Sequence, residues 1–383
     1  MSVVASWDDT SSERYFGCYD SDGQRCGFGV YVFPNGDMYV GMWKHNRTCG
    51  YGLKFWAKTG DQYFGEWHKD MRHGTGLYLW GQGAVYRGPW KNDKTVGCGK
   101  FITTYGVFLG NLHNGRYEGK GVLSFVNGDV YRGDFHKGML HGNGTMRYQN
   151  GNTYTGPWVR GEESGNGVLK YANGGEYRGC FLGGLKHGNG TLNTSSGVRY
   201  EGEWFRGKEH GKGVYTHPDL VYRGTFRLGF PCGLGTMTLK NGSTRTGHFL
   251  NGLLHGEGSI QDKDGEYVGS FVNGTPHGWG KRTYADGSVY EGAFENNLRH
   301  GPGQMVYTDG SVVRGTFFND SRITHPPERH ARSECVVCLH QRPSVVLMPC
   351  RHLCLCAECS RAWGAACPVC RAPVRSFIHT FVP

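Results

Sequence analysis

One pattern returns thirteen times between residues 15 and 312: Tyr-x-Gly-x-(Trp/Phe), a polar stretch, Gly-x-Gly, then alternating residues and a turn. The units begin at Tyr15, Tyr39, Tyr63, Tyr86, Phe108, Tyr131, Tyr154, Tyr177, Tyr200, Tyr222, Arg245, Tyr267 and Tyr290, a period of 22–24 residues. Glycine holds the third place in all thirteen units, and Gly-x-Gly recurs in all thirteen. A ring holds the fifth place in twelve, Leu112 being the exception. A phase kept over so long a stretch is the signature of a repeat architecture, in which each unit is buried by its neighbours and no single globular core exists.

Side chains alternate faces along a strand, so places one, three and five share a face. The glycine at place three leaves a gap between two rings, which an aromatic from a neighbouring strand is expected to fill. Asn-Gly or Asp-Gly precedes a new unit at Asn35, Asn127, Asn150, Asn173, Asn241, Asp264, Asp286 and Asp309, and that dipeptide predicts a type I′ hairpin turn. The predicted fold class is mostly β: an elongated single sheet of stacked hairpins, with no helical layer. Composition agrees. Sixty-five glycines without a three-residue period exclude collagen, while 22 Tyr, 20 Phe and 10 Trp exclude a disordered glycine-rich linker.

Units such as Tyr131–Thr153 (YRGDFHKGMLHGNGTMRYQNGNT) resemble MORN repeats. The resemblance covers about four-fifths of the chain and implies a rod-like scaffold for protein contacts, in some members dimeric or near membranes or cytoskeleton. It does not by itself name an activity. The Phe108 unit, with Leu112 for the ring, and the Arg245 unit, without its leading aromatic, are read as tolerated local weaknesses. Seven units place His before Gly-x-Gly: His73, His141, His187, His210, His255, His277 and His300. Adjacent units stand roughly 10 Å apart, too far to share one zinc. These histidines are expected to sit in loops and bond backbone. Cys18, Cys26, Cys49, Cys98, Cys180 and Cys232 occupy unlike places and are expected to be small buried hydrophobes.

The remaining eight of fourteen cysteines cluster at the other end. Residues 1–14 read as an N-terminal extension, 15–319 as the repeat array, 320–334 as a polar linker, 335–371 as a metal module and 372–383 as a tail. The module spells Cys335-x2-Cys338-x11-Cys350-x-His352-x3-Cys356-x2-Cys359-x7-Cys367-x2-Cys370. Eight soft ligands in four pairs suit two tetrahedral zinc ions, and a module this small needs metal to fold. Cys354 fits the apolar alternation of Leu353 and Leu355 and reads as packing. Spacing alone allows interleaved or sequential sites.

The order resembles a RING finger, which implies a cross-brace: Cys335, Cys338, Cys356 and Cys359 on one zinc, and Cys350, His352, Cys367 and Cys370 on the other. Met348-Pro349-Cys350-x-His352-Leu353 and Cys367-Pro368-Val369-Cys370-Arg371 are similar to the RINGs of inhibitor-of-apoptosis and neuralized-type ubiquitin ligases. That resemblance implies that Val337, Trp363 and Pro368 contact a ubiquitin-conjugating enzyme, and that Arg371 bridges it to ubiquitin. It implies positioning chemistry, without a nucleophile or general base on this chain. Phe381, in a Thr-Phe pair 11 residues after Cys370, matches a family tail that joins a RING homodimer and presses on ubiquitin held by the other protomer. The expected partners are conjugating enzyme, ubiquitin and a protein substrate recruited by the rod. The alternative is a non-catalytic scaffold whose zinc module dimerises. Net charge is +10, shared equally between residues 322–383 and the rest, and no nucleic acid partner is expected. The start lacks a signal-peptide core, and no apolar run is long enough to span a bilayer. A cytoplasmic protein is expected, peripheral to membrane or cytoskeleton.

Overall fold

The computed structural model describes residues 14–323, 345–348, 352–355, 361 and 375–379. Two bodies are distinguished, one up to Glu209 and one from His210. Residues 14–323 contain strands and turns and no helix. Among the described residues no helix is long and apolar enough to cross a membrane.

The first body opens with β1 (Arg14–Tyr19), β2 (Arg25–Val32), β3 (Met38–Lys44), β4 (Arg47–Trp56) and β5 (Asp61–His68). Each pairs antiparallel with the next. The pattern continues through later units to Arg199–Phe205. In the second body it runs from Leu220–Arg227 to Ser321–Ile323.

Register places the glycines opposite one another, as Gly17, Gly29, Gly41, Gly52, Gly65, Gly76 and Gly88 in successive strands. A second row, Gly213, Gly224, Gly235, Gly247, Gly258 and Gly269, lies in the second body. The leading tyrosines lie in these rows. A Cβ on Gly41 would meet the Tyr39 hydroxyl at 2.6 Å, and one on Gly52 at 2.3 Å. The gap is therefore filled by the unit's own tyrosine, folded along its strand, and not by a ring from a neighbouring strand. The reason is the hydroxyl: Tyr39 Oη donates to the Met42 carbonyl at 3.2 Å, and Tyr63 and Tyr200 make the same bond three residues on.

Tyr39 is fully buried. Its own unit's Trp43 packs edge-on at 5.1 Å, and Trp67 of the next unit at 5.4 Å. Trp67 Nε1 also donates to the Gly52 carbonyl at 3.2 Å. Each unit thus completes its neighbour's core, as the repeat pattern predicts. Edge-to-face ring pairs contribute about 0.5–1.5 kcal/mol beyond area burial.

Within Gly-x-Gly the two glycines differ. Gly50 has φ of 57°, and the β3–β4 pairing jumps from Gly41↔Gly52 to Met42↔Cys49, a bulge that needs a left-handed residue. Gly52 is instead the position with no room for a Cβ.

The turns correct the sequence expectation. At Asn35-Gly36 only Gly36 has positive φ, 83°. Gly36 N donates to the Phe33 carbonyl and Phe33 N to the Asp37 carbonyl, a type I turn closed by a left-handed glycine. Type I′ geometry, with both central residues positive, sits at the other turn of every unit but the first, such as His45 (50°) and Asn46 (62°).

Both irregular units are filled from the place two residues before Gly-x-Gly. Tyr117 stacks on Phe108 at 3.9 Å beside buried Leu112. Leu254, fully buried, takes the space that Arg245 leaves and stands 3.2 Å from a Cβ on Gly258.

Candidate functional site

The chemistry-bearing C-terminal module is described through three short strands. His352–Leu355, Val345–Met348 and Ser376–His379 form an antiparallel sheet in that order. Val346 pairs with Leu353 on one side and Ile378 on the other, and Leu347 with His352 and Phe377. Leu347 and Leu355 are fully buried in this sheet. The tail is therefore joined to the module by a strand of its own chain. Arg361 and Arg375 are exposed.

This sheet places the backbone of His352 at the head of a strand, opposite Leu347. Its side chain, and that of Cys354, lie outside the described residues. So do Cys335, Val337, Cys338, Cys350, Cys356, Cys359, Trp363, Cys367, Pro368, Cys370, Arg371 and Phe381. The donor set itself fits zinc: seven thiols and one imidazole, in pairs two to three residues apart, are soft ligands for a tetrahedral ion. Among the described residues no group of three or more His, Cys, Asp or Glu could hold a metal.

The repeat bodies offer no competing catalytic centre. The histidines before Gly-x-Gly sit on strands at the bulge, not in loops. Nδ1 of His73, His255 and His300 is buried with no hydrogen-bond partner. Their backbone serves instead: the His73 and His141 carbonyls accept from Tyr63 and Tyr131 hydroxyls at 3.4 and 3.3 Å. None of the six scattered cysteines is fully buried, and Cys98 is exposed, because the pleat turns these places outward or to the rim. Burial pushes the Cys49 thiol up from its ordinary value, with Lys44 pulling the other way, which disfavours a thiolate. Sequence reasoning missed a hollow of about 280 Å³ on the ring face of the first body, lined by Arg25 and Lys54 among aromatics. The signal was faint: Arg25 stands at a place that varies between units, being Thr48, Arg72 and Thr95 in the next three.

The MORN repeat model matches thirteen segments between residues 15 and 312, and the C3HC4-type zinc finger (RING finger) model matches residues 331–377. Apoptosis inhibitor 1 of Orgyia pseudotsugata multicapsid polyhedrosis virus is 49% identical over 49 residues, 13% of this chain and 18% of the viral protein. The E3 ubiquitin-protein ligase MGRN1 of Mus musculus is 47% identical over 50 residues, 12% of this chain and 9% of its own. This chain thus spans under a fifth of the length of either relative. Among solved structures, the SAS-4 (dCPAP) TCP domain of Drosophila Melanogaster aligns over 51% of this chain and 91% of its own. Its identity is 12% and its TM-score 0.22, a likeness too slight to argue from.

Proposed function

From a chain that belongs to the MORN-repeat family and ends in a C3HC4 RING finger, we infer a RING-type ubiquitin ligase. The observation that carries this reading is the RING-finger match over residues 331–377, a span that holds all eight candidate zinc ligands in order, and the 47% identity over 50 residues to the E3 ubiquitin-protein ligase MGRN1 supports it. The module binds two zinc ions in a cross-brace, which orders the loops around them. Val337, Trp363 and Pro368 then form the surface that seats a ubiquitin-conjugating enzyme. Arg371 holds the carried ubiquitin in a reactive pose, its planar fork bonding two carbonyls at once. The rate gain comes from positioning, since the thioester already holds the electrophile and the substrate lysine supplies the nucleophile. The MORN array recruits substrate or fixes location in the cytoplasm, at membrane or cytoskeleton.

The test is autoubiquitination by the full chain with activating enzyme, a panel of conjugating enzymes and ubiquitin. Arg371→Ala is expected to keep its zinc and lose most transfer. Val337→Ala and Trp363→Ala are expected to weaken conjugating-enzyme binding. Wild-type transfer by all three variants shows that these contacts are misassigned, and no transfer with any conjugating enzyme favours the non-catalytic scaffold.

The same reading includes a homodimer, with Phe381 acting across it. The strand Ser376–His379 ends two residues before Phe381, which supports a tail anchored close to the module. Mixing Phe381→Ala with Val337→Ala is expected to restore transfer, because the intact tail of one protomer meets the intact surface of the other. A mixture as inactive as its parts rejects the dimer.

A further inference from the structure

The place two residues before Gly-x-Gly faces the ring ladder and varies from unit to unit: Arg25, Thr48, Arg72 and Thr95 in the first four. Where it is arginine, the guanidinium stacks on rings. Arg25 lies 4.5 Å from the Trp43 ring, and Arg72 4.4 Å from Trp90. Two of these arginines are neutralised by an aspartate in the next type I′ turn. Arg72 Nε donates to Asp93 at 2.8 Å, and Arg299 Nε to Asp320 at 3.1 Å. At the matching turn residue Arg25 has Asn46, whose amide oxygen is 3.4 Å from Nε. Among the described residues no carboxylate pairs with Arg25.

A second cation shares this hollow. Lys54 Nζ sits 4.5 Å from the Phe33 ring and makes no ion pair among the described residues. Burial pushes its ammonium below the ordinary lysine range, while Asp37, Asp93 and Asp70 pull the other way. Thr48 supplies a third, independent sign. It is 7% exposed and lines the hollow, yet its hydroxyl has no hydrogen-bond partner. The matching Thr95 hydroxyl accepts from Gly115 N at 2.8 Å. Half-buried cations and an orphan hydroxyl in one place are unfavourable unless something completes them.

We propose that this hollow, where Arg25, Lys54 and the unpartnered Thr48 hydroxyl converge among aromatic rings, is a seat for a carboxylate side chain of an acidic partner polypeptide. Charge selects the class. The two cations are offset by Asp70 alone on the lining, which leaves room for one negative charge and disfavours a phosphate dianion. Size selects the source: at about 280 Å³ the hollow lies just below the range of about 300–1,000 Å³ that holds drug-sized ligands, so it suits a side chain. The proposal stands whether or not the chain transfers ubiquitin.

The experiment titrates the full chain with a blocked hexaglutamate peptide, its hexaglutamine isostere and inorganic phosphate, by calorimetry. Hexaglutamate is expected to bind saturably, and the other two about tenfold more weakly or worse. Asn46→Asp installs the carboxylate found beside Arg72 and Arg299, and it is expected to cut hexaglutamate binding by about tenfold with the melting temperature unchanged. Lys54→Met is expected to act in the same direction, whereas exposed Lys120→Gln should change nothing. Equal binding of both peptides, wild-type binding by Asn46→Asp, an equal loss with Lys120→Gln, or no saturable binding overturns the proposal.

Discussion

A methyl group on Gly52 would stand 2.3 Å from the Tyr39 hydroxyl, so Gly52→Ala forces that ring out of its seat. Overpacking of this kind costs about 1–3 kcal/mol, and the urea midpoint is expected to fall accordingly. Combining it with Tyr39→Ala should cost less than the two single changes added together, because the clash and the ring disappear at once. Strict additivity would show that the glycine serves some other purpose. That two glycines recur in every unit was legible in the sequence; that they have different jobs was not. Gly50 is defined by a jump in pairing with β3, and Gly52 by a ring that starts on β3, and both facts depend on cross-strand register rather than local spacing. The same limit hid Arg25: its missing carboxylate shows only beside Arg72 and Arg299, each facing a turn 21 residues further on.

At the level of the hairpin, the consensus is a poor guide where a neighbour has already adapted. Leu112 breaks the ring pattern, yet it is buried beside a stacked Phe108–Tyr117 pair. Restoring the consensus with Leu112→Trp is therefore expected to destabilise the chain by about 1–3 kcal/mol, and Tyr117→Thr on that background to recover part of the loss. Thermal melts of the wild type, the single variant and the double variant decide it. The ladder as a whole has a pH signature. Burial raises the hydroxyls of Tyr86, Tyr131, Tyr222, Tyr267 and Tyr290 from 10.0 to about 12. Between those values the unfolded tyrosines ionise while the folded ones hold their protons, so the folded state binds more protons and loses stability as pH rises. The contribution of these tyrosines to stability is expected to be constant below about pH 10 and to fall from there to about pH 12, with their tyrosinate absorbance and the loss of near-ultraviolet dichroism rising together. Ionisation of all the tyrosines near pH 10 without loss of structure would contradict the buried ladder. Strands, repeat phase and unit boundaries could be read from sequence because each unit's ring and glycine spacing is local. The turn types could not: Asn-Gly looks like a type I′ signal, but Pro34 at Phe33-Pro34-Asn35-Gly36 and the bond from Gly36 N to the Phe33 carbonyl select type I with a left-handed glycine.

For the whole molecule, the two kinds of stabilisation should separate under metal removal. The repeat bodies are held unit by unit, through rings such as Trp67 on Tyr39, and among the described residues no group of three or more His, Cys, Asp or Glu is placed to hold a metal. The RING finger occupies only residues 331–377, below the size at which a hydrophobic core suffices, and its described interior rests on Leu347 and Leu355. Its thiolates must be bound to stay deprotonated and close together, so zinc binding and folding of the module are one equilibrium. A strong chelator at neutral pH is expected to release two zinc ions per chain and abolish ubiquitin transfer. The near-ultraviolet dichroism of the tyrosine–tryptophan ladder and the binding of hexaglutamate should survive, since Arg25, Lys54 and Thr48 all lie in the first body. Returning zinc under reducing conditions should restore transfer. Loss of the ladder signal along with the metal would mean that the repeats depend on the module. Release of one zinc or none from reduced, intact protein would remove the cross-brace and, with it, the arrangement in which Val337, Trp363, Pro368 and Arg371 were assigned their roles.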